Sequence, residues 1–421
     1  MFKKTTLSNG LRIITVPQKS TQAVTVLVLV GTGSKYETRE INGISHFLEH
    51  MFFKGTKNMP DKLEIAETLD KVGGIYNAFT GEEYTGYYAK TAFSKFDLAL
   101  RWVSDIYLNS LLPEKEVKRE KGVIIEEINM IYDNPMSRVG LLWNRLLYGD
   151  QPAGWDIAGT KETVSSIGRK DLFEYMKEQY TAPNTIVCVA GRIEEEEAIE
   201  KVKRYFSSMK SSKPREKAEV IENQKKPGSL IDYKETDQTH LCLGVRGYNV
   251  LHPKKYAQDV LAVLLGGMMS SRLFMEVRER LGLAYYVKTE SDCNPDTGFL
   301  VTQAGVENSN AQKAVSTILK EYRKISQKKV PAGELKKAKE YIKGKMALSL
   351  ESSDELAAFY GVHELLEKRI LTPKEIYAKI DKVTSSDVLA AAKEIFRPEG
   401  LNLALVGPHK DSKAFDKLLR L

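Results

Sequence analysis

The residues with the clearest chemistry are two histidines in the segment ISHFLEHMFF, residues 44–53. Because His46 and His50 are at positions i and i+4, a helix places both imidazoles on one face, where they can bind one metal ion. Glu49, three residues after His46, borders that face. The order His-x-x-Glu-His inverts the thermolysin-like arrangement and is the inverzincin signature. The alternative interpretation is an amphipathic helix whose histidines share a face by chance.

A third ligand is required, because a catalytic zinc ion has three protein ligands and one open position for water. Residues 114–131 have an acidic, helical pattern that contains Glu120, Glu126 and Glu127. Glu120 and Glu127 are two helical turns apart on one face, and Glu126 points about 100° away from Glu127. Spacing alone does not choose between Glu126 and Glu127 as the third ligand.

The elements around these residues occur twice in the chain. Residues 167–191 resemble residues 383–407, and residues 113–128 resemble residues 331–346 at nearly the same offset. Two segments that agree in this way indicate a duplication. Lys345 is at the position equivalent to Glu127, and no second His-x-x-Glu-His occurs in the sequence. The duplication therefore predicts one half with a metal motif and one half without it.

The boundary between the halves falls in the polar segment 207–229, which contains two prolines. We predict a metal-binding catalytic domain at 1–210, a linker at 211–229 and a homologous domain at 230–421. Apolar strands predicted at 11–16, 23–30, 241–247 and 299–306 alternate with long helical patterns. Because several strands come before a helix, we expect an α+β fold, with an antiparallel sheet and packed helices in each domain.

Composition excludes several classes of protein. The net charge of +7 comes from 63 basic and 56 acidic residues, and these alternate along helical segments, so we expect no nucleic-acid partner. The longest aliphatic run, Ala23 to Val30, is too short to span a membrane. The first residues resemble a strand rather than a signal peptide, which predicts a cytoplasmic protein. Of the three cysteines, Cys188 and Cys242 are in apolar runs, so buried thiols are expected.

The sequence resembles the pitrilysin family of zinc metallopeptidases, which includes insulin-degrading enzyme and the mitochondrial processing peptidase. The resemblance is carried by HFLEHMFFKGTK at 46–57, NAFTGEEYTGYY at 77–88, EKGVIIEE at 120–127 and SSRLFMEVRERLGLAYYV at 270–287. It implies one Zn²⁺ per chain, held by His46, His50 and Glu127, since the family's glutamate ligand is about 76 residues beyond the second histidine. Glu120 matches the family's second carboxylate, which supports the metal site.

The resemblance also implies a mechanism of peptide-bond hydrolysis. Glu49 would act as general base on a water molecule and then pass the proton to the leaving amine. Arg278 and Tyr285 match a pair that stabilises the developing oxyanion, although the neighbouring Tyr286 leaves the choice of tyrosine open. Asn77, Ala78 and Phe79 match a sheet edge to which a peptide substrate adds as a strand.

Relatives in this family with four such domains enclose their substrate within one chain. A two-domain chain would therefore form a dimer, in which Arg278 and Tyr285 of one protomer complete the zinc site of the other. We expect a homodimer, or a heterodimer with a homologue, that cleaves peptides or unfolded polypeptide segments. The alternatives are a non-catalytic subunit that presents substrate and a zinc subunit that is silent without a metal-free homologue.

Overall fold

The computed structural model describes residues 2–421, and its strands form two sheets. The strands are β1 (Lys3–Thr6), β2 (Arg12–Pro17), β3 (Ala23–Val30), β4 (Ile75–Thr80), β5 (Thr85–Ala92), β6 (Thr185–Gly191), β7 (Gly228–Tyr233), β8 (Gln238–Arg246), β9 (Ala284–Cys293), β10 (Gly298–Glu307) and β11 (Leu401–Gly407). The first sheet has the order β1-β2-β6-β3-β5-β4, and the second has the order β7-β11-β8-β10-β9.

The two sheets have the same connectivity, which confirms the predicted α+β fold of two homologous parts. Across the first sheet, the neighbouring strands β2-β6-β3-β5-β4 correspond one by one to the neighbouring strands β7-β11-β8-β10-β9 of the second sheet. In each sheet the first of these pairs is parallel and the other three are antiparallel. The parallel pairs, β2 with β6 and β7 with β11, are a detail that strand periodicity does not predict.

Helices connect and cover the strands. They are α1 (Ile44–Met51), α2 (Lys62–Asp70), α3 (Phe96–Asn109), α4 (Glu114–Asp133), α5 (Pro135–Tyr148), α6 (Lys161–Ser166), α7 (Arg169–Gln179), α8 (Glu195–Phe206), α9 (Lys255–Ala262), α10 (Ala311–Gln327), α11 (Ala332–Ser349), α12 (Ser353–Glu367), α13 (Pro373–Lys382), α14 (Ser385–Ile395) and α15 (Lys413–Asp416). Two further segments, Val263–Gly267 and Phe274–Arg280, form π-helical turns. Such turns are rare and are frequent at functional sites.

Two equivalent helices are exchanged between the halves of the sequence. Helix α5, from the first half, packs on β8 and β11, and helix α12, from the second half, packs on β3 and β6. Each covers its sheet with an apolar face: Trp143 of α5 lies against Phe299, and Tyr360 of α12 belongs to a cluster with Leu29. The exchange buries apolar surface that each sheet would otherwise expose to water.

The compact units of the structure are consequently discontinuous. The first contains residues 1–128, 155–218 and 348–370, and the second contains residues 129–154, 219–347 and 371–421. These units differ from the continuous domains 1–210 and 230–421 because of the exchanged helices. Residues 210–225, which cover most of the predicted linker, form no helix or strand.

The core of the first unit positions the metal motif. Between the first sheet and the helices packed on it, Ile44, Phe47, Leu48 and Met51 of α1 are fully buried. Cys188 and Cys242 are buried free thiols, as the sequence predicts. Among residues 2–421, no helix is both long enough and apolar enough to cross a lipid bilayer.

Candidate metal centre

Helix α1 is preceded by a glycine that the local backbone requires. Gly43 precedes the helix with φ of 97°, and a Cβ there would lie 2.6 Å from the carbonyl oxygen of Ala158. Only glycine adopts this conformation without strain or collision. The buried carboxylate of Glu37 accepts hydrogen bonds from the N–H groups of Gly43, at 2.7 Å, and Ser45, at 2.9 Å. Glu37 thus satisfies free N–H groups at the start of the helix that carries both histidines.

Three predicted ligands converge at one point. His46 and His50 lie on the same face of α1, with ring centroids 4.7 Å apart. Glu127, on α4, places its Oε2 atom 3.6 Å from Nε2 of His46 and 3.4 Å from Nε2 of His50. Among residues 2–421, this is the only group of three or more His, Cys, Asp or Glu side chains whose ligand atoms are close enough to hold one ion.

The distances and the donor set fit zinc. Bonds of about 2.0–2.2 Å in tetrahedral geometry place ligand atoms about 3.3–3.6 Å apart, which matches both distances from Glu127. Two imidazoles and one carboxylate leave one position open, as catalytic zinc sites do. Glu126, the alternative that spacing left open, is exposed on α4, whereas Glu127 faces the histidines.

The protonation states of His46 and Glu127 also suit a cation. Burial, together with the neighbouring His50, lowers the pKa of His46 to about 4, so its imidazole is neutral near neutral pH. The hydrogen bond with His50 lowers the pKa of Glu127, so its carboxylate is ionised. Metal ligands must be deprotonated in this way, because a protonated nitrogen has no lone pair to donate.

Glu49 is beside the ligands and has a different environment. Burial raises the pKa of Glu49, and a hydrogen bond from the Thr80 hydroxyl to Oε2, at 2.5 Å, opposes that shift. A carboxylate with a raised pKa is a more effective proton acceptor near neutral pH. Thr80 is the last residue of β4, so it links the candidate base to the sheet. The sequence motifs did not single out Thr80 or Glu37, because both come from outside the helix.

Glu120 lies two turns before Glu127, on the buried face of α4. Its carboxylate Oε2 is 2.5 Å from Nζ of Lys54, in the chain segment that follows α1. This ion pair joins α4, the helix that carries Glu127, to the segment that follows α1, the helix that carries both histidines.

The predicted substrate residues lie on β4, which pairs with β5 and is the last strand of its sheet. Asn77 is exposed, Ala78 is buried, and the ring of Phe79 packs over Gly86. The side chain of Phe79 therefore belongs to the packing of the strand. The main chain of β4 has an unpaired edge, which is the feature that strand addition uses.

Arg278 and Tyr285 lie in the second unit and are not members of the metal cluster. Arg278 belongs to the second π-helical turn, where its guanidinium lies 4.8 Å from the ring centre of Phe274. Tyr285 is 71% exposed on β9, whereas the hydroxyl of Tyr286 makes a hydrogen bond of 3.0 Å with Nδ1 of His240. Of the two tyrosines, Tyr285 is therefore the one available to a bound molecule.

Comparisons with known protein families match both halves of the chain. The family model described as insulinase, peptidase family M16, matches residues 12–161. The model of the peptidase M16 inactive domain matches residues 166–342. The first match contains all three candidate ligands, and the second covers a region without the histidine motif.

Similar proteins extend over nearly the whole chain. An uncharacterized zinc protease of Bacillus subtilis is 39% identical over 409 residues, which is 97% of this chain and 98% of the relative. An uncharacterized zinc protease of Mycobacterium leprae is 33% identical, covering 99% and 94% of the two chains. Among solved structures, a protease from Helicobacter pylori has a TM-score of 0.91 and 25% identity, covering 97% of this chain and 99% of that chain.

Proposed function

The chain belongs to peptidase family M16, the insulinase family, and on that premise we propose that it is a zinc-dependent metalloendopeptidase. The observation that carries the proposal is the convergence of His46, His50 and Glu127, with Glu49 beside them. The names of the relatives, zinc proteases, support the same reaction class. When bound, zinc supplies Lewis acidity that polarises a peptide carbonyl and acidifies water.

The side chains around the metal ligands have distinct roles in the proposed reaction. Glu49 accepts a proton from the attacking water and returns it to the leaving amine, which needs a carboxylate that is both basic and correctly oriented. Thr80 orients that carboxylate through its hydroxyl, at 2.5 Å. Glu37 positions the helix that carries both histidines, because its carboxylate accepts hydrogen bonds from the N–H groups of Gly43 and Ser45.

The substrate class follows from the open edge of the first sheet. A peptide that adds as a strand beside β4 is held by main-chain hydrogen bonds, which are independent of its side chains. Asn77, Ala78 and Phe79 offer that edge, and β4 packs next to α1, the helix with the two histidines. Extended peptides and unfolded segments of polypeptide are therefore the proposed substrates.

The proposal includes a dimer, because the oxyanion needs donors besides the metal. Arg278 and Tyr285 are the candidates that the family resemblance supplies, and the exposure of Tyr285 supports this role. In the proposed homodimer, these two residues of one protomer act at the metal site of the other. The two protomers then enclose the substrate in a chamber.

The test uses the purified protein alone, with metal analysis and a library of quenched fluorescent peptides. We expect about one zinc ion per chain and cleavage that a chelator abolishes and added zinc restores. Protein that neither retains zinc nor cleaves any peptide would contradict the proposal and favour a non-catalytic subunit. Protein that retains zinc without cleavage would instead indicate a subunit that requires a different homologue.

A further inference from the structure

A cavity in the first unit is separate from the group of metal ligands and has an unusual balance of charge. Its volume is about 540 Å³, and it lies among α3, α7, α8 and the segment that follows α8. Arg101, Lys177, Arg204 and Lys210 line it, and Asp105 is the single carboxylate in its lining. Cavities of about 300–1,000 Å³ are typical of sites for small molecules.

The four cations of this cavity have no carboxylate partner within 4.0 Å among residues 2–421. Two lysines of α8 that do not line the cavity do have partners: Lys201 pairs with Asp97 and Glu197, at 2.5 Å each, and Lys203 pairs with Glu200. Positive charges gathered around one cavity repel one another, so a bound anion would stabilise this group.

The carboxylate of Asp105 is held by hydrogen bonds from neutral side chains. Its oxygens accept hydrogen bonds from the Thr56 hydroxyl, from the Asn58 amide at 2.5 Å and from the Asn109 amide at 2.8 Å. These donors fix the carboxylate within the wall of the cavity. Four positive charges and one negative charge leave a net excess of positive charge, which suits an anionic ligand.

The walls of the cavity are held in place by hydrogen bonds, so the site does not depend on a rearrangement. The Asn9 amide donates to the carbonyl oxygens of Phe206 and Ser207, at 3.0 and 3.2 Å, which fixes the turn after α8. The N–H group of Ala182 donates to the carbonyl oxygen of Lys210, at 2.9 Å. A preformed site costs less ordering free energy when a ligand binds.

We propose that this cavity, which we call the cationic cavity, binds a small molecule with a diphosphate group. Arginine is well suited to such a ligand, because its planar guanidinium makes paired hydrogen bonds with phosphate oxygens. Arg101 and Arg204 provide two such groups from different helices. The limited volume of the cavity favours inorganic pyrophosphate or a nucleoside diphosphate over a nucleic-acid chain, which needs an extended groove.

The test is isothermal titration calorimetry with inorganic pyrophosphate, ADP and adenosine on the zinc-loaded protein and on the variant Arg101→Ala/Arg204→Ala. We expect saturable binding of pyrophosphate or ADP, a dissociation constant at least about tenfold higher in the double variant, and no binding of adenosine. Both arginines are exposed, so the variant is expected to fold, and its circular dichroism spectrum checks this.

A control variant sharpens the test. Lys203→Ala removes a cation of α8 that is paired with Glu200 and does not line the cavity, so binding is expected to stay unchanged. Pyrophosphate can also chelate zinc, but that effect is the same in all variants. Equal binding by the wild type and the double variant, or no saturable binding at all, would overturn the proposal.

Discussion

Neighbouring carboxylates on α4 have different environments, and this difference gives a direct test at the scale of single residues. Glu127 contacts both histidines, whereas Glu126 is exposed on the same helix. We expect Glu127→Gln to lower zinc content severely, because an amide is a weaker zinc ligand than a carboxylate, and Glu126→Gln to retain about one zinc per chain. Metal analysis after dialysis measures both. Equal zinc content in the two variants would contradict the ligand assignment.

Thr80 gives a second prediction at this scale. Thr80→Val removes the hydroxyl that donates to Glu49 while keeping the shape of the side chain. We expect kcat to fall by about three- to tenfold, with KM and zinc content nearly unchanged, because the base loses its orienting hydrogen bond. Thr80→Ser keeps the hydroxyl and should retain most of the activity. If Thr80→Ser were as impaired as Thr80→Val, the loss of turnover would come from altered packing and not from the missing hydrogen bond.

Sequence reasoning reached the side chains of the candidate metal centre for a clear physical reason. His46, Glu49 and His50 are fixed relative to one another by the geometry of one helix, and their spacing is visible in the sequence. Spacing could not choose between Glu126 and Glu127, and the family resemblance made that choice. Glu37 and Thr80 were missed because their contacts with α1 depend on how distant segments pack.

At the scale of helices and strands, the exchange of α5 and α12 was the least predictable feature. An amphipathic pattern shows that a helix has an apolar face, but it does not show which sheet that face covers. In the structure α5 and α12 have equivalent places in the two halves of the chain, and each packs on the sheet of the other half. The parallel strand pairs were unpredictable for the same reason, since they join strands far apart in sequence.

The contact of α12 with the first sheet can be tested at a glycine. A Cβ at Gly361 would lie 2.6 Å from Cδ1 of Leu29 and 2.7 Å from Sγ of Cys188, both in the core. We expect Gly361→Val to lower the free energy of unfolding by about 1–3 kcal/mol, because the added carbons overpack this interface. Thermal unfolding measures the change as a lower midpoint temperature.

Gly344, in the interior of α11, provides the matched control. A Cβ there has no atom within 4 Å, so Gly344→Val should change stability by less than about 0.5 kcal/mol. A Gly361→Val variant as stable as the wild type would argue that α12 does not pack closely on the first sheet.

At the scale of the whole molecule, the duplication separates a half with candidate metal ligands from a half without them. The dimer proposal can be tested by mixing two inactive variants, His46→Ala and Arg278→Ala, under conditions that exchange subunits. We expect recovery of about a quarter of the wild-type turnover, because half of the randomly formed dimers are hybrids and one site of each hybrid is intact. Recovery measured against each variant alone provides the control. A hybrid that forms, as shown by native mass spectrometry, and remains inactive would contradict the sharing of a site between protomers.

The central claim is that Glu49 performs catalysis beside a metal ion that it does not bind. The most direct measurement is the zinc content and peptide turnover of Glu49→Gln compared with the wild type. We predict about one zinc per chain in both proteins and a turnover at least about a hundredfold lower in the variant, because an amide cannot accept the proton. A Glu49→Gln protein that retains both zinc and full turnover would contradict the account.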